Sequence, residues 1–391
     1  MAEVEFEVVP EWVHVRHSEK SGIREVYGLS NSGGFINLEG LRYLPGNRPS
    51  KTLLMFMHPA STMSMLPIPR ALARRGLHVL CAGSRYARND TPLIMEKVLL
   101  DFGAYVRHAR EVWGYEKVVI VGWSGGGSLS AFYQAQAERR TVTQTPAGDP
   151  IDLDGLIPGD AFIWQAAHLS RANVLADSID PSVLDENNPA LRDPELDIYD
   201  PRNPHQPPYD QAYLDRFRDA QVARIRRRTA LVKQMLEDVR SGNTGEVERG
   251  LLTHLTMADP RWLDSTMDPN DRRIGWMVLG DPKESNSSPA GIARFSTLRA
   301  WLSQWSIDDT QAKALDNAPS ITVPLLAIEN TADDAVPQPD TRRFLDAAGS
   351  TDKQLAVLQG ANHYYIGQPD KMKEVLDLTI DWLRERGLED V

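Results

Sequence analysis

The 391-residue chain has one cysteine, no excess of positive charge and no apolar run near the roughly 18 residues that a membrane span needs. Each shortage excludes something. Cys81 alone cannot form an internal disulfide, and its place in the run Leu77–Cys81 reads as a buried, inert thiol in a reducing compartment. Lys and Arg number 43 against 54 Asp and Glu, a formal charge of −11, which argues against nucleic acid as the main partner. The start Met1–Glu7 is acidic and alternating, without the basic residues and long apolar stretch of a signal peptide. A soluble, cytoplasmic chain with no membrane partner is expected. No repeat or low-complexity tract stands out. His14 and His17 have H-x-x-H spacing, but in a strand they point to opposite faces, so no metal site is expected.

What is present has a rhythm. Glu3–Val9 and Trp12–His17 alternate as antiparallel strands do, and Asn31-Ser32-Gly33-Gly34 is a turn signal. From Thr52 onward, buried-strand patterns (52–57, 77–82, 117–121 and one within 153–162) alternate with helical ones (68–75, from 91 to about 113, 125–140). This implies βαβ units and a mostly parallel sheet. From about 165 to 320 the alternation stops, giving way to proline-rich loops and a helix from about 211 to 239 dense in arginine. That helix reads as a solvated face offset by Asp215, Asp219, Glu237 and Asp238. The rhythm returns at Pro324–Ile328, Lys353–Leu358 and a helix from about 370 to 386. The expected organisation is an α/β core in two parts, 1–164 and 321–391, with an inserted helical cap at 165–320.

The sharpest motif is Gly122-Trp123-Ser124-Gly125-Gly126. By composition alone a G-x-S-x-G would arise about 0.1 times in a chain this long. Here it falls between a strand pattern and a helix pattern, the setting of a nucleophile elbow. Gly122 and Gly126 keep the turn tight, Ser124 is thrust out over the sheet edge, and Gly125 offers the N–H beside it at a helix start. Gly125-Gly126-Gly127-Ser128 lacks the lysine of a phosphate-binding loop and the spacing of a dinucleotide fingerprint, so no cofactor is expected.

A serine hydroxyl needs a base. His363 follows the last strand pattern in a loop that can reach the serine. His58 ends a strand upstream, His78 and His108 lie within elements, and His168, His205 and His254 lie in the insertion. The loop Glu329–Pro337 offers an acid between serine and histidine in chain order, with Asp333 and Asp334 as adjacent candidates. Asp160 is a third, after the preceding strand.

Over residues 50–165 and 320–391 these motifs resemble the α/β-hydrolase superfamily, and within it the capped esterase-like and acyl-hydrolase-like members. The family's acid loop often reads G-x-x-D-x-x-V-P. Asn330–Pro337 matches from the aspartate onward, with Asn330 where glycine is common, and so the resemblance selects Asp333 as acid. Asp334 would then cap a helix starting near Pro337. The family's first oxyanion strand end often reads His-Gly-x, whereas this chain has His58-Pro59-Ala60. Proline has no N–H, so the resemblance points to Ala60 as donor, with Ser61 as the fallback.

The reading that follows is a serine hydrolase cleaving a carboxylic ester or related acyl bond of a small molecule, by way of an acyl-enzyme. Amide, lactone or carbon–carbon hydrolysis would use the same triad, an acyltransferase would replace water with another acceptor, and a non-catalytic ligand-binding protein could share the fold. Self-association into a homo-oligomer stays open. Trp262, Trp276, Trp301 and Trp305 would either line an enclosed apolar pocket or pack the insertion's own core.

Overall fold

A computed structural model describes residues 5–19, 34–289, 291–336 and 338–389. The expected turn at 31–34 and the start of the first expected strand therefore lie mostly outside the described residues, as does Pro337. What is seen of the N-terminal region is one long strand, β1 (Val8–Ser18), running through both expected ones and paired antiparallel with β2 (Phe35–Pro45). His14 bonds Asn37 and His17 bonds Asp101 from opposite faces of β1.

The short Val/Ile/Leu/Met-rich runs become central strands buried on both faces, as parallel strands between helical layers must be. Along the chain come β3 (Thr52–His58), α1 (Pro67–Arg74), β4 (His78–Gly83), α2 (Met95–Glu111), β5 (Lys117–Ser124), α3 (Gly125–Glu138) and β6 (Ala161–Ala167). The segment that breaks the rhythm holds α4 (Arg171–Ser178), α5 (Gln211–Arg240), β7 (Gly250–Leu252), α6 (Pro282–Ser287), β8 (Phe295–Thr297), α7 (Leu298–Gln304) and α8 (Ala314–Asn317). Then follow β9 (Leu325–Asn330), α9 (Asp340–Ala347), β10 (Lys353–Leu358) and α10 (Pro369–Glu385). The eight-stranded sheet has the order β1-β2-β4-β3-β5-β6-β9-β10, and every pairing from β4 to β10 is parallel. The chain is thus built around a mostly parallel sheet with a layer of core on each face, one under α2 and α3 and the other under α1 and α10.

β6 starts later than its apolar pattern suggests. Leu153–Gly159 stays out of the ladder, where Pro158 interrupts it and Gly159 lies against Ile120 and Gln134, and only the Asp160 N–H joins β5, at the Val118 carbonyl.

The 168–320 segment has its own core, in which Trp301 stacks on Trp305 at 4.9 Å against Ile225, Val232 and Leu298. These two tryptophans pack that core, Trp262 is buried beside Met257 and Met277, and Trp276 is partly exposed under Arg273. The arginine-rich helix α5 differs from the sequence expectation. Arg224 and Arg228 are buried, and both clamp Glu186, while Arg216, Arg218 and Arg226 pair with Glu195, Asp259 and Asp308. One face of the helix, with Arg224 and Arg228, is buried and the opposite face, with Arg216, Arg226 and Arg227, is exposed, and the partners of these charges come mostly from other segments.

Candidate active site

β5 ends at Ser124, and α3 begins one residue later. Ser124 has φ 53° and ψ −128°, a conformation that costs a non-glycine residue about 1–3 kcal/mol and must be held by its surroundings. Three glycines hold it. A side chain at Gly122 would meet the Gly127 Cα at 2.8 Å, one at Gly126 the Met57 carbonyl oxygen at 2.4 Å, and one at Gly127 the Ala167 Cβ at 2.3 Å. The turn closes only because these side chains are missing.

At the same edge of the sheet, the loops after β9 and β10 bring an acid and a histidine together. His363 is fully buried, and its Nδ1 lies 3.0 Å from both carboxylate oxygens of Asp333. Asp333 is fixed in turn, its Oδ1 accepting the N–H groups of Ala335 and Val336 at 2.8 and 2.7 Å. Asn330, where glycine was the commoner family residue, ties the two loops. Its Nδ2 donates to the Asn362 carbonyl and its Oδ1 accepts from the Tyr365 hydroxyl.

The competing aspartates do other things. The Asp334 carboxylate accepts the His363 backbone N–H at 3.3 Å, and burial followed by the neighbouring Asp333 raises its pKa. It does not cap a helix, since α9 starts only at Asp340. Asp160 accepts from the Val118 N–H, Arg110 and Lys117 at the start of β5. Ser124 is at the far end of that strand, about 20 Å away at roughly 3.3 Å per residue.

The other ring nitrogen of His363, Nε2, lies 3.2 Å from the indole Nε1 of Trp123, which is itself buried and set edge-on to His363 and Tyr365. An indole N–H only donates. Nε2 must therefore be the bare nitrogen, and the proton sits on Nδ1 facing Asp333. Among the described residues Ser124 Oγ has no hydrogen bond, so in this arrangement His363 Nε2 is bonded to Trp123 and not to the serine. Trp123 is the x of the motif, and nothing in its spacing signals this contact.

Two further histidines lie at the elbow, and neither was singled out from the sequence. The His168 backbone N–H approaches the Ser124 carbonyl at 3.4 Å. Burial, then Arg171 and His363, pushes the His168 ring down to about 3, so it is neutral. His58 lies against Gly125, and burial together with Arg171, His168 and His363 pushes its pKa well below the ordinary range. The Ala60 N–H, expected to be available for an oxyanion, is directed instead to His58 Nδ1 at 3.1 Å. Ser61 is exposed, and Gly125 opens α3 as expected.

The insertion is tied to the loops on either side of this site. Arg171 bonds Asp90 at 2.6 Å and Gln304 at 2.8 Å, and Ser303 bonds buried Glu96 at the start of α2. On the other side, the Val278 N–H reaches the Asp334 carbonyl at 2.8 Å and the Asp271 N–H that of Thr331 at 2.9 Å.

The strand order, the strained serine between β5 and α3, and the acid and histidine loops after β9 and β10 decide the fold. The chain is an α/β-hydrolase in fold. Among solved structures it is similar to DcsB, determined in complex with its substrate analogue, with a TM-score of 0.53, 14% identity and coverage of 96% of this chain and 99% of that one. A monoacylglycerol lipase from Paleococcus ferrophilus (TM-score 0.45, 15% identity, 88% and 98% covered) and Est1E from Butyrivibrio proteoclasticus (0.44, 14%, 89% and 95%) also match. A family model described as serine aminopeptidase, S33, matches residues 301–370, a stretch that includes Asp333 and His363 but not Ser124. No described helix is long and apolar enough to cross a membrane.

Proposed function

We propose that the chain is a serine hydrolase that cleaves a carboxylic ester, with Ser124 as nucleophile, His363 as base and Asp333 as the acid that orients it. The observation that carries this reading is the fixed tautomer of His363. Its Nδ1 proton faces a carboxylate held by two backbone N–H groups, and its bare Nε2 is at the sheet edge where the strained elbow presents Ser124.

In this mechanism Nε2 takes the Ser124 proton as Oγ attacks the ester carbonyl. The Gly125 N–H, beside the nucleophile at the start of α3, holds one side of the oxyanion. The imidazolium formed is stabilised by Asp333 and returns its proton to the leaving alcohol. A water then repeats the sequence on the acyl-enzyme. Indole and imidazolium N–H groups repel each other, so the Trp123 contact belongs to the resting state and is broken as the proton moves.

The segment at 165–320 is proposed as a cap over the mouth of the site. What supports this is its anchoring on both flanks, at the β4–α2 loop through Arg171 and at the acid loop through Val278 and Asp271. Substrate choice would then lie in residues of that segment facing Ser124. Comparing the purified chain with Ser124→Ala on p-nitrophenyl esters of graded acyl length tests the reading. Turnover should vanish in the variant with melting unchanged. A fully active Ser124→Ala protein would end it.

A further inference from the structure

The second oxyanion donor is missing from its expected place. Pro59 has no N–H, and the N–H of Ala60 is already directed at His58 Nδ1, 3.1 Å away. That contact fixes the state of the ring. A nitrogen that accepts a backbone N–H carries no proton of its own, so in neutral His58 the proton is on Nε2. Burial and the nearby Arg171 keep the ring neutral.

Nε2 is also the ring atom nearest the nucleophile's neighbour. A side chain built on Gly125 would meet Nε2 at 2.4 Å, Cε1 at 3.1 Å and Cδ2 at 3.2 Å. The imidazole tip occupies the room that any other residue at position 125 would fill. The other elbow glycines give way to backbone or to tightly packed carbons. Gly125 gives way to a polar side chain whose only proton on nitrogen has no acceptor among the described residues. His58 as a residue, at the end of β3, is not fully buried.

We propose that His58, through Nε2–H, is a catalytic residue that donates the second hydrogen bond to the oxyanion, in place of the backbone N–H that His58-Pro59-Ala60 does not free. The proposal rests on the serine-hydrolase reading above. It also explains why glycine follows the serine in this chain, since any side chain there would push the donor away.

The alternative is a passive role, in which His58 only props Ala60 through Nδ1. The two nitrogens can be separated. His58→Asn places an amide oxygen near Nδ1 and keeps the prop without the distal donor. His58→Gln reaches the Nε2 position with an amide N–H and gives up the prop. With a short-chain p-nitrophenyl ester as probe, His58→Asn should lose about 10²–10³ in kcat with KM little changed, the usual cost of one oxyanion donor. His58→Gln should retain clearly more. The rate of phosphonylation by a fluorophosphonate, which forms a comparable oxyanion, should fall in the same order. If His58→Asn stays near the native rate, or if His58→Gln is the worse of the two, the donor role is wrong.

A double-mutant cycle guards against misfolding of either variant. Gly125→Ala alone should lose a comparable factor by displacing Nε2, and should add less than about tenfold to His58→Asn, because coupled groups are not additive. Fully additive losses would overturn the proposal. Loss of all turnover in Ser124→Ala alongside a fast His58→Asn would remove this inference and leave the serine-hydrolase reading standing. An active Ser124→Ala would remove both.

Discussion

Replacing Asp333 by asparagine should disable the protein without unfolding it, and the structure says how. The Asp333 Oδ1 accepts two backbone N–H groups, from Ala335 and Val336, while both carboxylate oxygens lie 3.0 Å from His363 Nδ1. An asparagine must keep its oxygen on those two N–H groups, since a buried NH₂ facing two donors would leave them all unpaired. Its NH₂ then faces His363 Nδ1, which must become the acceptor. The proton moves to Nε2, where it meets the indole N–H of Trp123 at a separation of 3.2 Å and where no lone pair remains for Ser124. The wrong tautomer costs about 10⁴ in kcat in the known serine-protease case, equivalent to about 5.4 kcal/mol at 1.36 kcal/mol per tenfold. Ester hydrolysis should fall by several orders of magnitude while the melting temperature moves by only a few degrees. Asp334→Asn retains the acceptor for the His363 backbone N–H and should lose little. A Asp333→Asn protein with a tenth of native activity, or an equal loss in Asp334→Asn, would refute the reasoning.

Other outcomes follow from particular contacts. Glu96 is buried, and burial raises its pKa to about 7, so between its ordinary value near 4.5 and pH 7 the folded state keeps a proton that the unfolded state has lost. Stability should therefore decline across that window and level off above it, by about 3 kcal/mol in all at 1.36 kcal/mol per unit; Glu96→Gln should flatten that part of the profile in urea titrations at several pH values, and an unchanged slope would count against it. Gly126→Ala forces a Cβ to within 2.4 Å of the Met57 carbonyl oxygen, a backbone atom that cannot swing aside, so soluble yield, melting temperature and activity should fall together. Arg224→Met leaves Glu186 with Arg228 as its one remaining arginine and the Asp180 and His254 carbonyls without this donor, and should destabilise the chain by about 3 kcal/mol in denaturant unfolding.

The α/β rhythm was legible because parallel strands buried on both faces must be short apolar runs, as Leu53–Met57 and Val118–Val121 are. The elbow was legible because its geometry leaves room only for glycine at 122 and 126. That Asp333 and not Asp334 would face the His363 ring was legible only with the family loop as a guide, since spacing by itself did not separate the two. Contacts between distant segments were not legible. Arg224 and Glu186 are 38 residues apart, and an arginine-rich helix looks like a solvated one until such a partner is placed inside. His58 was set aside because it precedes the serine in the chain, although the sheet order puts β3 beside β5 and hence His58 beside Gly125. His168 was hidden in the insertion, and the tie between Trp123 and His363 spans 240 residues. The proline of His58-Pro59-Ala60 did signal a strand end with one N–H fewer. Where the Ala60 N–H goes depends on a ring orientation that no sequence pattern encodes.

The proposed chemistry stands or falls with Ser124 as an activated nucleophile. Intact-mass measurement after treatment with a fluorophosphonate tests it most directly. One phosphonyl group per folded chain is expected, mapped by peptide sequencing to the segment containing Ser124, absent in Ser124→Ala and slowed by orders of magnitude in Asp333→Asn. A native, folded protein that takes up no label, or one that is labelled equally well after Ser124→Ala, would contradict it.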